Sequence, residues 1–235
     1  MPRDPSEEKR LDKIYAILEQ RFDSGEHDVA ARHNEYRVEF PRSTQRHPST
    51  PMLTLLPFTP ADIDRLIGWI PSLEALQMWT ASSFGFPLTR EYLERHMRES
   101  AERGDRLLFK AVETGEGKVV GHVELGAIDH RNRSLRLGRV LLDPQARGRG
   151  LGTGMMRSAL TLSFETMFQM HRVELAVFDV NPRAIACYER VGFRYEGMSR
   201  ESFLAPGSPE RYWSIITMSI LASEWADLSG RVGPG

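Results

Sequence analysis

The sequence predicts a mixed α/β fold: a mostly antiparallel central sheet with helices on both faces, preceded by a helical N-terminal extension. Three observations carry this. Between residues 52 and 221, apolar runs of strand length alternate with turn residues and helical stretches. Helices come early, a run of strands joined by short turns follows, and the chain closes in β-α-β-α-β-β order. The first 50 residues have a different texture, with one amphipathic stretch and then a polar, proline-bearing linker.

The elements follow in order. Ser6 is placed to cap a helix through "SEEKRLDKIYAILEQRF", where Leu11, Ile14, Tyr15, Ile17 and Leu18 recur at helical spacing. Ser24-Gly25 breaks it, "HDVAARHNEY" reads as a short second helix, and "FPRSTQRHPSTP" as a linker. "MLTLLPF" is a strand. Thr59-Pro60 opens a helix through "ADIDRLIGWI", Ser72 caps "LEALQMW", and Thr89 caps "REYLERHMRESAERG". "RLLFKAVE", "VVGHVELGAID" and "SLRLGRVLLD" are strands joined by turns. A helix from about Gly150 to Phe168, the strand "RVELAVFD", the helix "NPRAIACYERV" and the strands "FRYEGMSRESF" and "YWSIITMSIL" complete the pattern. The expected boundaries are 1–50 for the extension, 51–225 for the main domain and 226–235 for a C-terminal tail.

Composition narrows the function classes. With 235 residues, 40% of them hydrophobic, the chain can bury a sizeable core. A net charge of -1 gives no field that would draw it to nucleic acid or to a membrane, and no basic groove with interleaved aromatics is seen. A single cysteine, Cys187, fits a reducing cytoplasm. The charged N-terminus lacks a signal-peptide core, and no run reaches the ~20 apolar residues of a membrane span. His27, Asp28, His33 and Glu35 follow no standard zinc spacing, so no metal is expected.

The chemistry concentrates in "VLLDPQARGRGLGTGMM" (140–156), where Gly148, Gly150, Gly152 and Gly154 crowd a strand-to-helix turn beside Arg147 and Arg149. Each glycine costs roughly 1 kcal/mol of helix stability against alanine. Such a turn is an anion site, because the first helical N–H groups lack internal partners and glycine permits close backbone approach. No lysine follows as a P-loop needs. G-x-G-x-x-G fails as well, since the last position falls on Thr153 or Met155. What remains is Arg147-x-x-Gly150-x-Gly152.

That signature, with a second motif in "NPRAIACYERVGF", resembles the GNAT superfamily of N-acetyltransferases. Asn181, Ala184, Tyr188, Glu189, Gly192 and Phe193 match its N-x-x-A-x-x-x-Y-E-x-x-G-F pattern in register. The likeness spans roughly Met52 to Trp225 and is closest to the branch containing ribosomal-protein N-terminal acetyltransferases. It implies acetyl transfer from acetyl-CoA to a primary amine by direct attack in a ternary complex. Arg147, Gly148, Arg149, Gly150, Gly152 and Thr153 would hold the diphosphate. Val140, Leu141 and Leu142 would hold the pantetheine arm and thioester through backbone groups, together with Asn181. Tyr188 is the implied acid toward the departing thiolate; packing alone also accounts for a buried tyrosine.

The family's usual glutamate on the strand before the turn is missing from "SLRLGRVLL". Glu124 and His122, two apart and so on one face, are candidate bases; a water relay or no dedicated base is the alternative. Asp129 ends the same strand. Cys187 has no partner that would make it a nucleophile. Trp79, Phe84 and Phe86 in "MWTASSFGFPLT" are candidates to line the acceptor pocket, and a loop packed on the core explains them equally. The acceptor is left open among a peptide α-amine, a polyamine, an amino acid and an aminosugar, as is homodimerisation. A non-catalytic acetyl-CoA-sensing or interaction module on the same fold is the competing reading.

Overall fold

A computed structural model of the chain describes residues 53–81 and 83–230. The expected N-terminal helices, the boundary at residue 50 and the group His27, Asp28, His33, Glu35 lie outside the described residues. Seven strands, β1 (Leu53–Pro57), β2 (Leu107–Glu113), β3 (Val119–Asp129), β4 (Ser134–Leu142), β5 (Arg172–Phe178), β6 (Arg194–Leu204) and β7 (Tyr212–Leu221), form one sheet in the order β1-β2-β3-β4-β5-β7-β6. Among the described residues six α-helices accompany it: α1 (Ile63–Gly68), α2 (Leu73–Thr80), α3 (Arg90–Arg103), α4 (Leu151–Thr161), α5 (Pro182–Val191) and α6 (Ala222–Ser229).

The caps form where the residue types require them. Ser72 Oγ accepts from the Ala75 N–H and Thr89 Oγ1 from the Tyr92 N–H, at the starts of α2 and α3. Asn181 Oδ1 accepts from the Ala184 N–H, with Pro182 at the first position of α5. Two details differ from the sequence reading. The α-helical part of the Gly150–Phe168 stretch ends at Thr161, and Leu162–Thr166 continues as a π-helical turn in which the Ser163 hydroxyl donates to the Ala159 carbonyl. At the C-terminus, α6 runs across the expected start of the tail at 226, anchored by buried Trp225, whose indole N–H donates to Glu165.

The sheet has two covered faces. Residues of α1, α2 and α3 form a buried cluster including Ile63, Leu66, Leu76, Trp79, Leu93 and Met97, with Leu141 of β4 packed against it. On the other face α4 lies so close that a Cβ at Gly121 would sit 2.7 Å from Met155 Sδ. α4 in turn packs on α5.

The decisive feature is the middle of the sheet. β4 and β5 are its parallel pair, and they pair only from Ser134–Leu137 to Arg172–Leu175. Beyond that point β4 runs on to Leu142 and β5 to Phe178 without pairing to each other. The divergence begins at a bulge. Between His122 and Glu124 on β3, the register on β4 moves from Leu141 to Gly138, one residue too many, and Arg139 takes a left-handed φ of 45°. A bulge bends its strand and increases its twist, and here it turns β4 away from β5.

Candidate active site

Past Leu137 the β5-facing backbone of β4 has lost its neighbour, and Val140, Leu141 and Leu142 are half-buried there. Backbone groups on such an edge can hold an extended ligand as an added strand. The strand ends at Leu142, and the Asp143 carboxylate accepts from the Gln145 N–H and fixes the turn that follows. The chain then enters α4 through Gly148 and Gly150, at φ 81° and 78°. That conformation is cheap for glycine alone, and nothing lies within 4 Å of a Cβ built at Gly148. The α4 N-terminus, with Gly152 in its first turn, thus has N–H groups without intrahelical partners beside that open space. These features fit a CoA diphosphate and a pantetheine arm.

The flanking side chains are more committed than the sequence suggests. Arg149 is held by Glu113 at the end of β2, at 2.7 Å, and Arg147 folds back toward the Leu142 carbonyl at 3.4 Å. The Thr153 hydroxyl turns toward α5, accepting from Arg190 and lying 3.7 Å from Cys187 Sγ. Cys187 is part-buried, and burial pushes its thiol pKa up, against any nucleophilic role.

Tyr188 is buried on α5, edge-on to Phe193 at 6.0 Å. Its hydroxyl makes no hydrogen bond among the described residues, and burial, aided by nearby Cys187, pushes the phenol pKa well up. A proton-bearing phenol is the form an acid requires. Gly192 closes the motif at a left-handed φ of 117°, and a Cβ there would also meet the Leu228 and Ile220 side chains. Asn181 serves as the cap described above.

His122 and Glu124 do share a face, but it is interior: each is 1% exposed. A strand's solvent face, the ordinary place for such groups, is therefore excluded. Glu124 accepts from Arg139 at 2.7 Å and Arg106 at 2.9 Å, and lies 3.1 Å from His96 Nε2 and 3.3 Å from His122 Nε2. Burial raises its pKa. The hydrogen bonds from His122 and His96 and the Arg139 charge outweigh this and hold the carboxyl well below the usual carboxylate range. Asp129 stands apart at the end of β3, its carboxylate engaged by Asn132.

Trp79 and Phe84 border this group. Their rings stack at 6.1 Å, Trp79 meets the His122 ring edge-on at 5.8 Å, and Phe84 meets His96 edge-on at 5.3 Å. The guanidinium of Arg139 lies over the Phe84 ring at 5.2 Å. Phe86 is 48% exposed and makes no ring contact with the group. Three members were missed in the sequence: His96, Arg106 and Arg139. His96 did leave a signal, a histidine in the buried stripe Leu93, His96, Met97, Ser100 of α3.

Tyr188 belongs to the α4–α5 face of the sheet and the Glu124 group to the α1–α3 face; the gap between β4 and β5 is where the two faces can reach one substrate. An open strand edge, a glycine turn at a helix N-terminus and ionisable groups on the two faces fit a CoA-dependent acyltransferase. The chain belongs to the acetyltransferase (GNAT) family, whose model matches residues 73–193. It is 32% identical over 144 residues to spermidine N(1)-acetyltransferase of Vibrio cholerae, covering 61% of this chain and 78% of that one. A Bacillus subtilis protein provisionally named for ribosomal N-acetylation is 27% identical over 110 residues, 47% of this chain and 57% of its own. The crystal structure of V. cholerae spermidine N-acetyltransferase with CoA and spermine aligns at TM-score 0.64 and 25% identity, over 74% of this chain and 98% of that one. The chain is an acetyltransferase that uses acetyl-CoA and acts on an amine. Among the described residues no group of His, Cys, Asp and Glu suits a metal ion, and no helix is long and apolar enough to cross a membrane.

Proposed function

We propose that this enzyme acetylates a primary amine by direct attack within a ternary complex, the acceptor entering beside Trp79 and Phe84. The divergence of β4 from β5 carries the reading, because it opens one gap to both helix-covered faces. Acetyl-CoA supplies the acetyl group as a thioester. The N–H groups at Gly148–Thr153 hold its diphosphate, and the free edge of Val140–Leu142 holds its arm and offers an N–H donor to the thioester oxygen as that oxygen gains charge. Asn181 supports the arm from the far side of the gap.

On the acceptor side a carboxylate held far below its usual pKa is a poor base toward an ammonium group. Glu124 instead orients the imidazoles. As an ionised acceptor it fixes hydrogen on His96 Nε2 and His122 Nε2, leaving each Nδ1 as the basic nitrogen. His96, 8% exposed against 1% for His122, is the less deeply buried of the two. It takes the amine proton, directly or through water, and Glu124 stabilises the imidazolium. Tyr188 gives its proton to the departing thiolate.

The test is release of free thiol from acetyl-CoA across a panel of peptide amines, polyamines, amino acids and aminosugars, with product mass confirmed. At least one class turns over. CoA binding without turnover of any amine would instead establish the non-catalytic module. The lone cysteine favours the cytoplasm as the working compartment. Tyr195, Met198 and Leu204, exposed on the outer strand β6, favour self-association, which light scattering tests.

A further inference from the structure

Arg106 and Arg139 both end on one oxygen of Glu124, and neither pairs with any other carboxylate among the described residues. Two guanidinium charges therefore face one carboxylate, and His96 and His122 add no negative charge in either protonation state. The surplus is largely withdrawn from water: the Arg139 side chain is 14% exposed and that of Arg106 23%. An uncompensated charge in such a place is costly unless a ligand completes it.

The donors left over match that need. Each arginine uses Nη1 on Glu124; neither Nη2 has a hydrogen-bond partner among the described residues, and the Nε of each is buried without one. Arg139 is further marked by its left-handed φ of 45° on the β4 bulge, a strained conformation for a residue with a Cβ. That bulge turns its guanidinium under Phe84 and places it directly before the open edge at Val140. With the acceptor entering beside Phe84 as proposed, the charge lies at the acceptor end of the gap. A polyamine would bring further cations to this point, whereas a carboxylate would find a planar fork suited to it.

We infer that the acceptor amine carries a carboxylate close to its reacting nitrogen, as an amino acid does, and that Arg139, backed by Arg106, binds it as a specificity-determining residue. The inference rests on the proposed entry of the acceptor beside Trp79 and Phe84. It sets this enzyme apart from the spermidine acetyltransferases it resembles.

The experiment compares matched acceptors on the full chain: amino acids, their primary amides, the corresponding decarboxylated amines, and spermidine. The carboxylate-bearing member leads its amide by about 10- to 100-fold in kcat/KM, the range of a charge-assisted hydrogen bond, and spermidine is poorest. Arg139→Gln levels the preference chiefly through KM for the acceptor, with CoA affinity retained by calorimetry, and Arg139→Lys restores part of it. Equal rates for acid and amide in the wild type, or a preference for spermidine, overturn the inference while leaving the proposed function standing. This comparison needs no variant, so it decides the matter even if Arg139→Gln fails to fold. An Arg139→Gln protein that binds CoA and keeps the preference overturns the assignment to Arg139. If no amine turns over, the proposed function falls and takes this inference with it.

Discussion

Glu124→Gln keeps the shape of the buried side chain and removes its charge. The native carboxylate accepts from Arg139 at 2.7 Å and Arg106 at 2.9 Å, with His96 at 3.1 Å and His122 at 3.3 Å. Glutamine retains one acceptor oxygen and turns an NH2 toward groups that are themselves donors. Breaking a buried charge group by removing one member costs about 3–5 kcal/mol. Arg106 and Arg139 keep some contact with water, so the lower end, about 3 kcal/mol, is expected. At about 2–4 °C per kcal/mol for a domain of this size, Tm falls by roughly 6–12 °C near neutral pH. The sign of the pH dependence follows from the depressed folded pKa. The carboxylate's contribution is complete above its unfolded value and is lost as pH falls through the folded one. The gap between wild type and Glu124→Gln is therefore steady from about pH 5 to 7 and narrows on acidification below the ordinary carboxylate range, about 4.3. Differential scanning calorimetry of both proteins across that series measures it, with CoA binding as the check on folding. A gap below about 2 °C at neutral pH, or one that widens toward acid, would refute the idea that Glu124 is an ionised keystone.

Tyr188→Phe removes a hydroxyl that makes no hydrogen bond among the described residues, so Tm and CoA affinity stay unchanged while kcat drops by about 10²–10⁴-fold. Wild-type turnover, with chemistry limiting, would leave Tyr188 as packing alone. Gly150→Val forces a β-branched residue into a φ of 78° and places methyls against the anion site. CoA affinity should weaken by well over about tenfold in a folded protein, and calorimetry showing native affinity would remove the turn from the cofactor site. Deletion of residues 1–48 should leave a cooperatively folding, CoA-binding remainder; loss of the thermal transition would instead make the extension part of the core.

Much of the frame was legible because its signals are local. Ser72, Thr89 and Asn181 cap helices where their short polar side chains reach back to a backbone N–H. The glycine turn was legible as the entry to a helix, where Gly148 and Gly150 take φ of 81° and 78° that glycine adopts cheaply. The β4 bulge left no such mark. "SLRLGRVLL" reads as an unbroken strand, and a period-two reading beyond Gly138 fails because the extra residue shifts everything after it. With the bulge hidden, Arg139 was an ordinary strand arginine, and its place under Phe84 could not be foreseen. His96 was visible as a buried helical position but not as a partner, since the carboxylate it meets is 28 residues away.

One inference was nonetheless available in principle. A glutamate within an apolar run such as "VVGHVELGAID" either faces water or is buried with partners that offset its desolvation. The alternation of β3 cannot choose between these, because a central strand covered on both faces loses its polar side. Once the sheet order puts β3 between β2 and β4 under α3, burial is forced, and partners must come from those neighbours. They do: His96 from α3, Arg106 from the entry to β2, His122 from β3 itself and Arg139 from β4. Each supplies one donor to a single carboxylate. The sequence thus implies that such partners exist without saying which they are. Topology selects them, and in selecting two arginines for one glutamate it leaves the positive charge that an anionic acceptor would complete.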